Sequence, residues 1–286
     1  MDMTILTFLA APFVASLILT GIHAYLGVHV VERGVIFVDL SLAQIAALGA
    51  AIALLVTEEA HGPGVYWISL LFTFIGAGVF SLIRSRQARI PQEAIIGISY
   101  AVASAATILA MSHATSESEH LKDMLVGNIL AVSWPEVVKT AVLYAAVGAF
   151  HYVFRKKFLA ISLDHDRAER EGLNVKLWDF LFYGSFGFVV TSSVSIAGVL
   201  LVFCYLIVPS VAAMLYAESV GRRLLIGWTM GTVVSALGIY LSVKLDLPTG
   251  ATMVCTFGLV LIAMAAVKPL LRPARAAVPS VEAARG

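Results

Sequence analysis

Three polar side chains stand inside an apolar run near the N-terminus, in VDLSLAQIAALG (38–49): Asp39, Ser41 and Gln44. A charged group is costly inside a bilayer and is usually functional there. At about 100° per residue of helix, Ser41 and Gln44 share a face, whereas Asp39 and Gln44 point roughly 140° apart. We therefore expect a polar pathway without a one-face chelate. The alternative is that Asp39 pairs with Arg33 or another cation near the membrane interface.

Two further positions extend this predicted pathway. Gly49 closes the same segment, and Pro209 interrupts a later apolar run, where neighbouring helices must satisfy the freed backbone groups. His23 lies in the first apolar run and is a weaker metal-ligand candidate. A lone histidine in a span is more often a hydrogen bond between helices, and the sequence leaves both interpretations open.

Composition identifies an integral membrane protein. Apolar types make up 60% of the 286 residues, charged types only 13%, and the mean hydropathy is +0.93. A typical soluble domain has about 25% charged residues. The net charge of +1 gives no indication of nucleic-acid binding. The chain has no phosphate-binding glycine loop and no paired His or carboxylates at one depth, so we predict neither ATP hydrolysis nor another enzymatic activity on this chain.

Apolar runs of bilayer-crossing length, roughly 20 residues, predict an all-α polytopic membrane protein with about nine transmembrane helices, within a range of eight to ten. We assign residues 1–271 to this transmembrane domain and expect the Ala/Pro-rich segment 272–286 to be a disordered tail. The nine runs are 4–26, 35–56, 65–83, 93–112, 136–154, 178–196, 198–217, 224–243 and 251–270. The break between the sixth and seventh of these runs is predicted from the serines at its end and from Gly198.

Basic residues predict the orientation in the membrane. With loops alternating sides, all but three of the 19 Lys and Arg residues fall on one side, the exceptions being Lys122, Lys139 and Lys244. Because cytoplasmic loops carry the excess of Lys and Arg, this distribution places the N-terminus outside and the C-terminus in the cytoplasm.

The most highly charged stretch is the insert 155–178, on the predicted cytoplasmic side. Its length exceeds the two to eight residues that a helix connection needs. Asp166, Arg167, Ala168 and Glu169 fall in a helix of about two turns, which Ser162 or Asp164 can cap and Gly172 can end. We predict that this helix docks on a soluble partner. The alternative is an ordinary amphipathic loop.

The segment DRAEREGLNVKLWD resembles the coupling loop of permease subunits of bacterial ABC importers. Four more segments resemble the zinc, manganese or iron branch of that family, in its order and spacing: EAIIGISYA (93–101), LVGNILAVSWPEV (125–137), AGVLLVFCYLIVPSVAAML (197–215) and LDLPTGATMV (245–254). The resemblance implies a type II ABC importer-like permease of the bacterial inner membrane. It implies a homodimer that contacts lipid, binds ATP-binding cassette ATPase subunits and receives metal, zinc first, from an extracytoplasmic binding protein.

The chain departs from this family at the second span. Most members have approximately G-D-x-[IL]-S-H-x-x-L-P-G there, whereas this chain has Leu40 and Gln44 at the Asp and His positions and Asp39 displaced by one. The family's metal site is therefore absent or rebuilt from Asp39, Gln44 and His23. Two alternatives remain: a permease for a chelate such as cobalamin, haem or a siderophore, and a secondary transporter driven by protons or sodium.

Overall fold

The computed structural model describes residues 3–57, 63–83, 90–112, 127 and 129–271. Within these ranges the chain is helical and contains no strand. Short 3-10 turns cover Ile129–Ala131 and Lys268–Leu271. The helices are α1 Met3–Glu32, α2 Val38–Thr57, α3 Pro63–Ile83, α4 Gln92–Met111, α5 Trp134–Val153, α6 Arg155–Leu163, α7 His165–Arg170, α8 Val175–Tyr216, α9 Val220–Leu245 and α10 Thr249–Val267.

Seven of the described helices are long and apolar enough to cross a membrane. The count becomes eight if α5 and α6, which meet at 75°, form one broken span. The prediction of an all-α, multi-pass membrane protein is confirmed. The difference from nine has two sources. The fifth predicted run, α5, qualifies only together with α6, and α8 is a single helix of 42 residues that covers both the sixth and the seventh run.

The long helix α8 changes direction at Gly198, which has non-helical backbone angles (φ 74°, ψ 161°). Ser193 Oγ lies 3.2 Å from His23 Nε2 of α1, and Leu206 packs against Gly27 of the same helix. Thirteen residues of straight helix would span about 20 Å, whereas His23 and Gly27 are separated by only about 6 Å along α1. The two parts, 175–197 and 199–216, therefore correspond to the two predicted runs.

Helices α1 and α8 form the centre of the bundle, and most of the residues of α8 are buried. A Cβ added on Gly27 would lie well under 3.0 Å from the backbone oxygen of Leu206, so the two helices meet backbone to backbone. The predicted pathway residue Gly49 has a similar packing role, because a Cβ there would come within 2.8 Å of Ser69 Cα on α3. The tail 272–286 and most of the 113–135 loop lie outside the described residues.

Candidate coupling segment and translocation pathway

The predicted charged helix is α7, and its ends have the expected chemistry. Asp164 Oδ1 accepts a hydrogen bond from Arg167 N at 3.0 Å, so Asp164 is the N-cap. At the other end, Gly172 (φ +83°) donates to Glu169 O and Leu173 donates to Ala168 O. This pair of bonds is a Schellman motif, which needs a residue in the left-handed region and therefore favours glycine. The short helix begins and ends where the sequence predicted.

The predicted coupling residues divide between two faces of α7. Arg167, Glu169 and Gly172 are exposed and Asp166 is half-buried. Ala168 is 1% exposed and packs with Ile161 and Val175. Its side chain therefore anchors α7 to the neighbouring helices and does not lie on the outer face with the other predicted coupling residues.

The outer face of α7 keeps its charge. Arg167 Nε donates to Glu171 Oε1 at 2.8 Å, and this hydrogen bond raises the pKa of the guanidinium above its already high value. Both side chains are more than half exposed, so water screens the pair and its contribution to stability is small. The face is suited to recognition by a charged partner surface.

The sequence did not predict α6. It also did not predict a buried group of side chains that we call the Arg33 cluster: His29 of α1, Arg33 just after the end of α1, Ser162 of α6 and Asp179 of α8. Arg33 Nη1 donates to Asp179 Oδ1 at 2.6 Å, and Arg33 Nε donates to Ser162 Oγ at 2.8 Å. His29 Nδ1 lies 2.9 Å from the same Ser162 oxygen. Ser162, considered above as a helix cap, instead joins the coupling segment to the end of α1, and Arg33 in turn binds Asp179 of α8.

The sequence indicates that Arg33 and Asp179 each need a partner, but it does not indicate that they pair with each other. Each is a charged residue at the edge of an apolar run, a position that is costly without a partner. Their side chains are 0% and 1% exposed, and the Arg33 guanidinium also lies 3.9 Å from the centre of the Phe182 ring. The alternative pairing of Asp39 with Arg33 is not what the structure shows, since Arg33 binds Asp179.

The predicted pathway residues of α2 lie in its first two turns. Asp39 is 2% exposed, and its Oδ1 accepts a hydrogen bond from Leu40 N at 2.8 Å. Ser41 Oγ is buried and makes no hydrogen bond within the described chain, and Gln44 is also buried. These three residues place carboxylate, hydroxyl and amide oxygens along about two turns of one helix.

The other predicted positions are occupied by interhelical packing. His23 Nδ1 donates to Leu19 O at 2.8 Å, while Nε2 faces Ser193 Oγ, so both ring nitrogens have protein partners. Pro209 is buried beside α9, where a Cβ on Gly227 would lie 3.6 Å away. Within the described ranges, no group of three or more His, Cys, Asp or Glu side chains could hold a metal ion. The two partners of the His23 ring, Leu19 and Ser193, lie on α1 and α8 and not on α2.

A family model matches almost the whole of this arrangement. The model of the ABC 3 transport family covers residues 6–268, a range that contains all ten helices except the first residues of α1. The chain belongs to the ABC 3 transport family. This is a family of transport permeases, and the resemblance to metal-ion ABC importer permeases is confirmed.

Curated relatives of this ABC 3 permease are membrane proteins of metal transport systems. One is "Manganese transport system membrane protein MntC" of Listeria monocytogenes, 27% identical over 87% of this chain and 86% of the relative. The Listeria innocua protein of the same name is 31% identical over 67% of this chain and 71% of its own length. "Chelated iron transport system membrane protein YfeC" of Yersinia pestis is 26% identical over 66% of this chain and 64% of the relative.

Solved structures share the fold of this permease. PsaBC from Streptococcus pneumoniae in complex with Fab superposes with a TM-score of 0.75 at 22% identity, covering 90% of each chain. A metal-chelate type ABC transporter in an inward-facing conformation gives a TM-score of 0.69 at 18% identity, covering 90% of this chain and 85% of the other. The predicted ABC importer permease fold is thereby confirmed.

Proposed function

We propose that this ABC 3 permease is the membrane subunit through which a divalent transition metal enters the cytoplasm, and that a separate ATPase subunit drives it by docking on α7. The observation that carries this proposal is the geometry of α7. Its Asp164 cap and Gly172 Schellman motif fix a short helix whose outer face is charged and exposed, while Ala168 anchors the inner face. A helix this short is marginal alone, so packing and a partner must hold it.

Manganese is the first expectation for the transported metal, ahead of iron and zinc. The resemblance alone had favoured zinc. The pathway positions on α2 provide oxygen donors at Asp39, Ser41 and Gln44, and no imidazole or thiolate stands where the family motif has histidine. Oxygen donors suit Mn²⁺, whereas imidazole and thiolate favour Zn²⁺. Relatives whose names refer to manganese and iron transport support the same order.

The pathway would hold its ion weakly, because conduction requires release as well as entry. Asp39 would supply the charge, with Ser41 and Gln44 along the same helix. The non-helical Gly198 and the helix-interrupting Pro209 are candidate bending points when the spans move. Gly49 would contribute close packing of α2 on α3 beside this route.

The assembly that we propose is a homodimer in the bacterial inner membrane, in contact with lipid and with two ATPase subunits. The distribution of basic residues supports an outside N-terminus and a cytoplasmic C-terminus, with α7 in the cytoplasm. An extracytoplasmic metal-binding protein would then dock on the outer loops 57–64, 113–135 and 244–250. Six of the 14 acidic residues outside the insert 155–178 lie in those loops.

The uptake test is deletion of the gene in its native host, growth in chelated medium, and restoration of Mn²⁺, Fe²⁺ or Zn²⁺ singly. We expect most of the high-affinity manganese uptake to be lost and a plasmid copy of the gene to restore it. Normal uptake of all three free ions, together with a defect in uptake of chelated iron, would instead support a metal-chelate importer. Uptake that persists after ATP depletion would indicate a secondary transporter.

Complementation with Asp39→Asn tests the pathway in the same cells. The change removes the carboxylate charge at nearly constant size, so we expect manganese uptake to fall about tenfold, as for the loss of one charged ligand contact of about 1.4 kcal/mol. Glu93→Gln is the matched control. Glu93 opens α4 and accepts a hydrogen bond from Phe37 N at 3.0 Å, which a glutamine oxygen can also accept. Equal uptake by the two variants would remove Asp39 from the pathway.

A further inference from the structure

We propose that Ser162, Arg33 and Asp179 form a buried latch that transmits movement of the coupling segment to the spans α1 and α8. The inference rests on the proposed function, because it assumes that an ATPase moves α6 and α7. It assigns a positioning role to three buried residues that belong neither to the exposed face of α7 nor to the predicted pathway residues. Its basis is a continuous chain of short, directional contacts between three helices.

The latch has one residue on each of three elements: α6, the end of α1 and α8. Ser162 lies in the last turn of α6, just before the cap of α7. Arg33 follows the end of α1, and Asp179 lies in the second turn of α8. Arg33 holds both neighbours, because Nε donates to Ser162 Oγ at 2.8 Å and Nη1 donates to Asp179 Oδ1 at 2.6 Å.

Burial makes this geometry rigid. The Arg33 and Asp179 side chains are 0% and 1% exposed, and Ser162 is 5% exposed. A guanidinium is a planar fork with fixed donor directions, and its bonds to a carboxylate are strong where water is excluded. The Phe182 ring covers the guanidinium at 3.9 Å. If α6 moved alone, it would leave a buried charged group with an unsatisfied donor, which is strongly disfavoured.

The remaining contacts of α6 with the bundle are mainly apolar. Phe158 stacks on His151 of α5 at 4.3 Å between ring centres and lies edge-on to Trp178. Packed apolar surfaces can slide past one another by small shear movements. The bonds of Ser162 to α1 cannot slide without breaking. They are therefore the contacts best suited to convert displacement of α6 into displacement of α1.

The latch is connected to the bend of α8 through α1. Along α1, His29 contacts Ser162, His23 contacts Ser193 and Gly27 packs on Leu206. Ser193 and Leu206 lie on opposite sides of Gly198. A displacement of α1 would therefore act on both parts of α8, and the second part contains Pro209.

The test uses the permease purified with its host's ATPase and reconstituted in lipid vesicles. Ser162→Ala removes the hydroxyl that joins α6 to α1, leaves the Arg33–Asp179 pair in place and does not touch the exposed face of α7. Ser162→Thr keeps the hydroxyl. Ser185→Ala is the matched control, because Ser185 Oγ lies in the same region but contacts His151 Nε2 of α5 at 2.8 Å and Phe182 O of its own helix. ATPase retention, ATP hydrolysis, Mn²⁺ uptake and melting temperature are measured on each preparation.

We expect Ser162→Ala to retain the ATPase and to hydrolyse ATP at the wild-type rate, while Mn²⁺ uptake per ATP falls about tenfold, the size of a typical coupling between two sites. Ser162→Thr and Ser185→Ala should keep the wild-type ratio of Mn²⁺ uptake to ATP hydrolysis. If Ser162→Ala melts at a lower temperature but keeps that ratio, the latch is overturned and the proposed function is unaffected. Wild-type vesicles that hydrolyse ATP without importing Mn²⁺, Fe²⁺ or Zn²⁺ would overturn the proposed function, and the latch with it.

Discussion

Gly172→Val is expected to reduce metal uptake strongly while the permease stays folded in the membrane. Gly172 has φ +83°, and a Cβ there would have nothing within 4 Å, so the penalty comes from the backbone alone. A β-branched residue in that conformation costs roughly 1–3 kcal/mol. The end of α7 would then leave its Schellman geometry and α7 would turn away from the docked orientation. A penalty in this range reduces the population of the docked conformation, and with it uptake, by about fivefold to 150-fold.

Two variants separate this effect from a general loss of stability. Gly221→Val is the matched control, because Gly221 also has no atom within 4 Å of an added Cβ but lies in the first turn of α9 with an ordinary φ. Gly172→Asn should retain much of the uptake, since asparagine tolerates the left-handed region better than other non-glycine residues. Uptake is measured against the amount of permease in the membrane. Normal transport by Gly172→Val would refute the assignment of α7 as the coupling helix.

Gly27→Ala is expected to prevent stable folding, although it adds only one methyl group. The added carbon would lie well under 3.0 Å from the Leu206 carbonyl oxygen and from Ser210 Oγ. The first of these atoms belongs to the backbone of α8 and cannot rotate away. The two central helices would have to separate, and overpacking of this kind costs about 3 kcal/mol or more. We expect a much lower melting temperature in detergent and little protein in the membrane.

Gly21→Ala, on the same helix, is the control for this substitution. An added Cβ at Gly21 meets no atom within 4 Å, and alanine favours a helix interior over glycine by about 1 kcal/mol. Gly21→Ala should therefore melt at or slightly above the wild-type temperature. Equal melting temperatures of the two alanine variants would show that α1 and α8 do not meet at Gly27 as closely as described.

The sequence by itself determined the local features of this protein. Runs of apolar residues predicted the membrane-spanning helices, because a bilayer requires an uninterrupted apolar segment of known length. Asp164 and Gly172 predicted the ends of α7, since caps and left-handed glycines act on backbone groups within four residues. The five segments that resemble metal-ion importer permeases predicted the family. Each of these signals is contained in a short stretch of chain.

Only the tertiary structure decided which distant residues meet. Arg33 and Asp179 are separated by 146 residues, and nothing local distinguishes this pairing from the alternative of Arg33 with Asp39. The same holds for the close contact between Gly27 and Leu206 and for the contact of the buried Ser162 with His29 and Arg33. These contacts depend on how the helices cross and on where α8 turns at Gly198. Helix packing is a property of the whole bundle, so periodicity and capping predict the helices but not their partners.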